Sequence, residues 1–94
     1  MAWVYILKCA DGSFYVGSTT YLEARLQQHQ RGEGAQYTKR RRPVELVFSC
    51  EFDAVDEAFY MEKKIQGWSR AKRLALIEGR FEDLPNLSRN RQGL

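Results

Sequence analysis

Hydrophobic and polar positions alternate from the start of the chain. Residues 3–8, Trp-Val-Tyr-Ile-Leu-Lys, are rich in aromatic and β-branched types and predict a strand, with Trp3, Tyr5 and Leu7 on one face and Val4 and Ile6 on the other. Asp11-Gly12 supplies a hairpin turn, and Phe14-Tyr15-Val16-Gly17 predicts the returning strand. The period then changes. Thr20-Tyr21-Leu22-Glu23 has the spacing of a capping box and predicts a helix over 21–31, with Gly32 placed to end it. A polar, basic stretch from Gly32 to Pro43 reads as a loop, and Val44 to Phe52 as a third strand. Asp53 is positioned to cap a helix that ends near Gly67, and Ser69 to cap a shorter one from Arg70 to about Glu78, closed by Gly79. The order is therefore β-β-α-β-α-α, an α/β (α+β) domain with a three-stranded mixed or antiparallel sheet flanked by helices. Residues 1–80 make this domain and 81–94 a C-terminal tail, polar after Pro85.

Length allows one domain and no more: 94 residues, 44% of them hydrophobic and 13% aromatic, suffice for one thin core. The longest apolar runs, such as Val4 to Leu7, are too short to span a bilayer, and no charged start precedes an apolar stretch as in a signal peptide. The expected compartment is the cytoplasm. Cys9 and Cys50 lack metal-ligand spacing and read as buried, reduced thiols, and a single histidine nearly excludes zinc. Any metal site would have to use carboxylates and a hard ion, Mg²⁺ or Mn²⁺.

Net charge, +3, decides little, whereas its distribution is informative. Lys39, Arg40, Arg41 and Arg42 run together, and Lys63, Lys64, Arg70, Lys72 and Arg73 form a second basic stretch. Both suit a phosphate backbone, although a solvated face is the commoner fate of a charge run.

Several residues break the pattern of an ordinary core. Val55, Ala58, Phe59 and Ile65 form an apolar stripe on the second long helix, and Glu62 falls on it. A carboxylate there sits at the stripe's edge, pairs with a cation or binds a metal. On the first helix Leu22 and Leu26 mark the inward side, flanked by Arg25 and His29, an i, i+4 pair suited to holding an anionic oxygen and moving a proton. Tyr15 and Gly17 share a face of the second strand, and the missing side chain at Gly17 reads as an opening for a ligand or a close backbone. Two phenols, a guanidinium, an imidazole and a carboxylate are thus expected above one sheet face.

At these residues the sequence resembles the GIY-YIG nuclease family. Trp3-Val4-Tyr5 stands where that family has its first triplet, with Trp3 in place of glycine, and Tyr15-Val16-Gly17 matches the second, ten residues on from Tyr5. Arg25, His29 and Glu62 follow in the family's order, and the likeness spans residues 3–78. The asparagine that many family members carry after the glutamate has no counterpart around Leu74. The resemblance implies cleavage of nucleic-acid phosphodiesters with one divalent cation held chiefly by Glu62. It implies that Tyr5 helps activate water, that His29 assists as proton acceptor, that Tyr15 positions water or phosphate, and that Arg25 steadies charge growing on the phosphoryl oxygens.

The leading expectation is a structure-selective DNA endonuclease, with DNA ahead of RNA as partner and both basic stretches on the backbone. No feature suits the reading of base edges. The alternatives are a non-catalytic nucleic-acid-binding module, and an adaptor that docks a partner protein through Phe81, Leu84 and Leu87; a homodimer stays open.

Overall fold

The computed structural model describes residues 1–84. Strand β1 (Ala2–Lys8) lies in the middle of a three-stranded sheet, with β2 (Phe14–Thr19) on one side and β3 (Glu45–Phe52) on the other. Both pairings are antiparallel, and a register irregularity between Ile6 and Leu7 interrupts the β1–β3 ladder. Helices α1 (Leu22–Gln30), α2 (Gln36–Lys39), α3 (Val55–Gln66) and α4 (Arg70–Ile77) complete the domain, followed by a 3₁₀ turn at Phe81–Asp83. The order expected from the pattern is observed, with the sheet antiparallel throughout. The tail after Pro85, including Leu87, lies outside the described residues.

Because successive strand residues point to opposite faces, β1 divides the interior in two. Ala2, Val4 and Ile6 pack with Phe14 and Val16 against Ala58 and Ile65 of α3 and Leu76 of α4. Tyr5, Leu7 and Cys9 pack with Tyr15, Val44, Leu22 and Leu26 on the α1 face. The stripe on α3 is narrower than its sequence suggests, since Ala58 and Ile65 are buried while Val55 and Phe59 stay exposed. Leu84 packs against the core from its margin, and Phe81 is exposed.

Several local expectations change. Thr20 does not cap α1: Tyr21 is the N-cap, and its amide donates to Thr19 Oγ1 at 3.1 Å. Asp53 does not cap α3 either. Ala54 occupies that place, and the Glu57 side chain reaches back to its amide. Ser69 caps α4 as expected, accepting from Lys72 N, and Gly32 follows α1 with a positive φ of 79° that suits glycine. Of the two cysteines, Cys9 is buried but Cys50, on β3, is exposed. The stretch read as a loop contains α2, whose Thr38 is fully buried.

Candidate active site

The α1 face of the hairpin holds a close-packed set of rings. Tyr5 on β1 is 1% exposed, and its hydroxyl lies 2.9 Å from Nε2 of His29. His29 is completely buried and is the deepest residue of α1, further in than Leu22 or Leu26. Tyr15 completes a triangle, its ring 6.4 Å from that of Tyr5 and 5.3 Å from His29. Tyr37 of α2 stacks on the far side of Tyr15 and is itself covered by the Arg41 guanidinium, 4.0 Å from the ring centre. On the other side of the imidazole, Nδ1 meets Thr38 Oγ1 at 2.8 Å, and that hydroxyl lies 3.0 Å from the Ala35 carbonyl.

Gly17 has a steric task here. It pairs with Tyr5 across the hairpin, and a Cβ placed on it would lie 2.5 Å from the Tyr5 hydroxyl oxygen. The space read from sequence as an opening for a ligand is therefore filled by the chain's own phenol. Gly34 does the same for His29, since a Cβ there would overlap Nδ1.

Burial dominates the proton affinities of the set. It pushes the Tyr5 phenol up to about 12, partly opposed by Arg25, and raises Tyr15 in the same way. It lowers His29 below the ordinary histidine value, with the positive charge of Arg25 acting in the same direction. At neutral pH both phenols keep their protons and the imidazole is uncharged. Arg25 lies beside both tyrosines, and its Nη1 donates to Gln28 Oε1 at 3.0 Å.

Glu62 arrives from the opposite side. Its helix packs on the other face of the sheet, so the five residues do not rise from one face as the sequence suggested. Ser18, the neighbour of Gly17, points to the α3 face and donates to Glu62 Oε1, while Gln66 Nε2 donates to Oε2 at 2.8 Å. The carboxylate side chain is 12% exposed, and its charge is felt by Tyr5 and Tyr15, raising both. Edge strand β2 is thus a partition one residue thick, with the phenols and imidazole on one side and the carboxylate on the other.

The basic residues divide into two groups. Arg41 bonds Asp11 and the Tyr37 carbonyl, and Arg42 bonds the carbonyls of Lys39 and Gln30. Arg70 donates to the Gly12 carbonyl and covers Phe14, and Arg73 donates to the carbonyls of Ile65 and Gln66 at the end of α3. Lys72 lies over Trp68. Lys39 and Arg40 are exposed at the C-terminal end of α2, and Lys63 is exposed beside Glu62 at 3.8 Å.

Sequence reasoning missed Thr38, Ser18 and Gln66. Thr38 was hidden in an apparent loop, while Ser18 and Gln66 meet Glu62 only through the tertiary fold.

The arrangement matches a known pattern. The profile described as GIY-YIG catalytic domain covers residues 1–75. This chain belongs to the GIY-YIG family. Membership places it in a nuclease-type superfamily. Among its relatives, a UPF0213 protein of Staphylococcus haemolyticus is 49% identical over 78 residues, 83% of this chain and 95% of that protein. A UPF0213 protein of Staphylococcus aureus is 46% identical over the same span. The solution NMR structure of a UPF0213 protein from Bacillus halodurans superimposes with a TM-score of 0.55 at 40% identity, covering 83% of this chain and 84% of that one. Among the described residues no helix is long and apolar enough to cross a membrane.

Proposed function

We propose that this GIY-YIG chain is a metal-dependent endonuclease that hydrolyses DNA phosphodiester bonds, selected by the structure of the nucleic acid rather than its sequence. The observation that carries the reading is the buried hydrogen bond between Tyr5 and a neutral His29, with Arg25 beside the same phenol. It offers a proton leaving water somewhere to go. The Tyr5 oxygen takes that proton as its own moves to His29 Nε2, so no free phenolate has to accumulate. The water oxygen, left with its electron pair, bonds to phosphorus. The bond from phosphorus to the leaving sugar oxygen breaks, and that oxygen keeps the pair and takes a proton from solvent. Arg25 donates N–H groups to the non-bridging oxygens as negative charge gathers there, and Tyr15 hydrogen-bonds the water or the phosphate.

Glu62 is the residue to hold a cation. Ser18 and Gln66 fix the orientation of its carboxylate, and each oxygen keeps a second lone pair. Among the described residues no group of three or more His, Cys, Asp or Glu side chains converges on a metal position. A single fixed carboxylate suits Mg²⁺ or Mn²⁺, which take most of their ligands from water and substrate phosphate. Such an ion supplies positive charge to the phosphoryl oxygens. Lys39, Arg40 and Lys63 are placed to meet backbone phosphates without disturbing the fold.

The test is incubation of the protein with labelled single-stranded, duplex, flap and four-way-junction DNA, with Mg²⁺ or Mn²⁺, beside Glu62→Gln. Cutting should require the metal and disappear in the folded variant. Full activity in Glu62→Gln removes the assigned metal role, and salt-sensitive binding without cutting of any substrate replaces the enzyme with a nucleic-acid-binding module.

A further inference from the structure

His29 is the sole histidine of the chain, and its two ring nitrogens face different partners: Tyr5 at Nε2 and Thr38 at Nδ1. A neutral imidazole carries one proton, so one nitrogen donates and the other accepts. The partners decide which. The Thr38 hydroxyl lies within hydrogen-bond distance of both Nδ1 and the Ala35 carbonyl, and a carbonyl can only accept. With the imidazole proton on Nδ1, every group is used. Tyr5 O–H donates to Nε2, Nδ1–H donates to Thr38 Oγ1, and Thr38 O–H donates to the Ala35 carbonyl. With the proton on Nε2, Thr38 must turn its hydrogen toward Nδ1 and release the carbonyl. The buried Tyr5 hydroxyl must then accept, and its own hydrogen is left without an acceptor, because Arg25 alongside has only donors.

We infer that Thr38 is a positioning residue, holding the imidazole proton on Nδ1 so that Nε2 presents its lone pair to the Tyr5 hydroxyl. This rests on the proton path of the proposed nuclease and adds to it. The helix that supplies Thr38 is a single turn, Gln36–Lys39, and Thr38 is its one buried residue. Gly34 closes the approach from the same segment, its missing side chain letting the backbone lie against Nδ1. The segment between α1 and β3 therefore serves as the socket of the imidazole as well as a carrier of basic residues. Free imidazoles in water favour the opposite tautomer, so the assignment has a distinct signature.

The experiment is a long-range ¹H–¹⁵N spectrum of uniformly labelled protein near neutral pH, in which one imidazole gives an unambiguous pattern. The wild type should show a protonated Nδ1 and a bare Nε2. Thr38→Ser, which keeps the hydroxyl, should preserve that pattern, and in a Tyr5→Phe background, where Thr38 alone sets the proton, Thr38→Val should move it toward Nε2–H. A wild-type spectrum with the proton on Nε2 overturns the inference without any variant having to fold. So does a folded Tyr5→Phe, Thr38→Val protein whose proton stays on Nδ1. The spectrum does not depend on cutting, so the two readings fail separately: the expected tautomer in a protein that cuts nothing leaves the socket standing and removes the nuclease. Where the protein cuts, Thr38→Val should lose about 10–100-fold in rate, with Thr38→Ser recovering most of it. Undiminished cutting by Thr38→Val overturns the positioning role.

Discussion

Replacing Gly17 with alanine tests the centre of the site with a single methyl group. That carbon would lie 2.5 Å from the Tyr5 hydroxyl oxygen and 2.6 Å from Cζ, where ordinary contacts begin at 3.4 Å. The ring must retreat by about 0.8–0.9 Å, and it has no free space to enter, being 1% exposed. A shift of that size in any direction compresses, stretches or misaligns the 2.9 Å hydrogen bond to His29. Overpacking of a tight core costs roughly 1–3 kcal/mol and a lost buried hydrogen bond about 1 kcal/mol more. The expected loss is therefore about 2–4 kcal/mol, a fall in Tm on the order of 10 °C or more for a domain of this size. Urea titration measures it, with an unchanged m-value showing that the native state is otherwise intact. Gly67→Ala is the control, since a Cβ there meets only a carbonyl at 3.5 Å; it should stay within about 0.5 kcal/mol of wild type. Cutting by Gly17→Ala should fall about 100-fold, because the phenol is displaced by nearly 1 Å. Wild-type stability in Gly17→Ala refutes the placement of Tyr5 against β2, and wild-type cutting refutes its part in the chemistry.

Two further tests use pH and salt. Cutting should fail as pH drops and His29 gains a proton; because burial lowers its pKa, the acid limb should centre below 6.5, and one centred above that value contradicts a buried acceptor. Tyr5 titrates near 10 when unfolded and at about 12 when folded, so the native state holds the extra proton between these values. The Tyr5 contribution to stability should accordingly be complete below pH 10 and be lost at roughly 1.4 kcal/mol per pH unit up to 12, the part of the alkaline slope that Tyr5→Phe should remove from the chemical-denaturation profile. Replacing Lys39 and Arg40 with alanine should reduce the salt-dependence slope of DNA binding by about 2 without changing the urea midpoint; an unchanged slope places the backbone contact elsewhere.

Much of this was legible in the sequence because it rests on short periods. The alternation of Trp3 to Lys8, the Asp11-Gly12 turn and the Ser69 cap are local, and the elements formed where they point. Tyr5, Tyr15, Arg25, His29 and Glu62 stood out by type and order. What stayed hidden depends on contact between distant segments. Helix α2 is four residues long, too short for a 3.6-residue period to emerge, so Thr38 had no pattern to reveal it. Ser18 and Gln66 look like ordinary surface residues until the fold brings Ser18 to a carboxylate 44 positions away. Gly17 suggested an opening because its missing side chain was visible, whereas the ring that fills the gap comes from the neighbouring strand.

The partition formed by β2 makes alignment part of the chemistry. Gly17 underlies Tyr5 and the next residue, Ser18, steadies Glu62, so both halves depend on one pairing of β2 with β1. A slip of a single residue exchanges the faces. It would drive the Ser18 side chain into the phenol and leave Glu62 beside a glycine, disabling the proposed proton transfer and the proposed metal binding together. That pairing is set far from both, at the turn where Cys9 N meets the Ser13 carbonyl at 2.8 Å and Gly12 adopts φ of 85°. The five-residue connection from Cys9 to Ser13 thus sets the frame for the side chains proposed to act in catalysis.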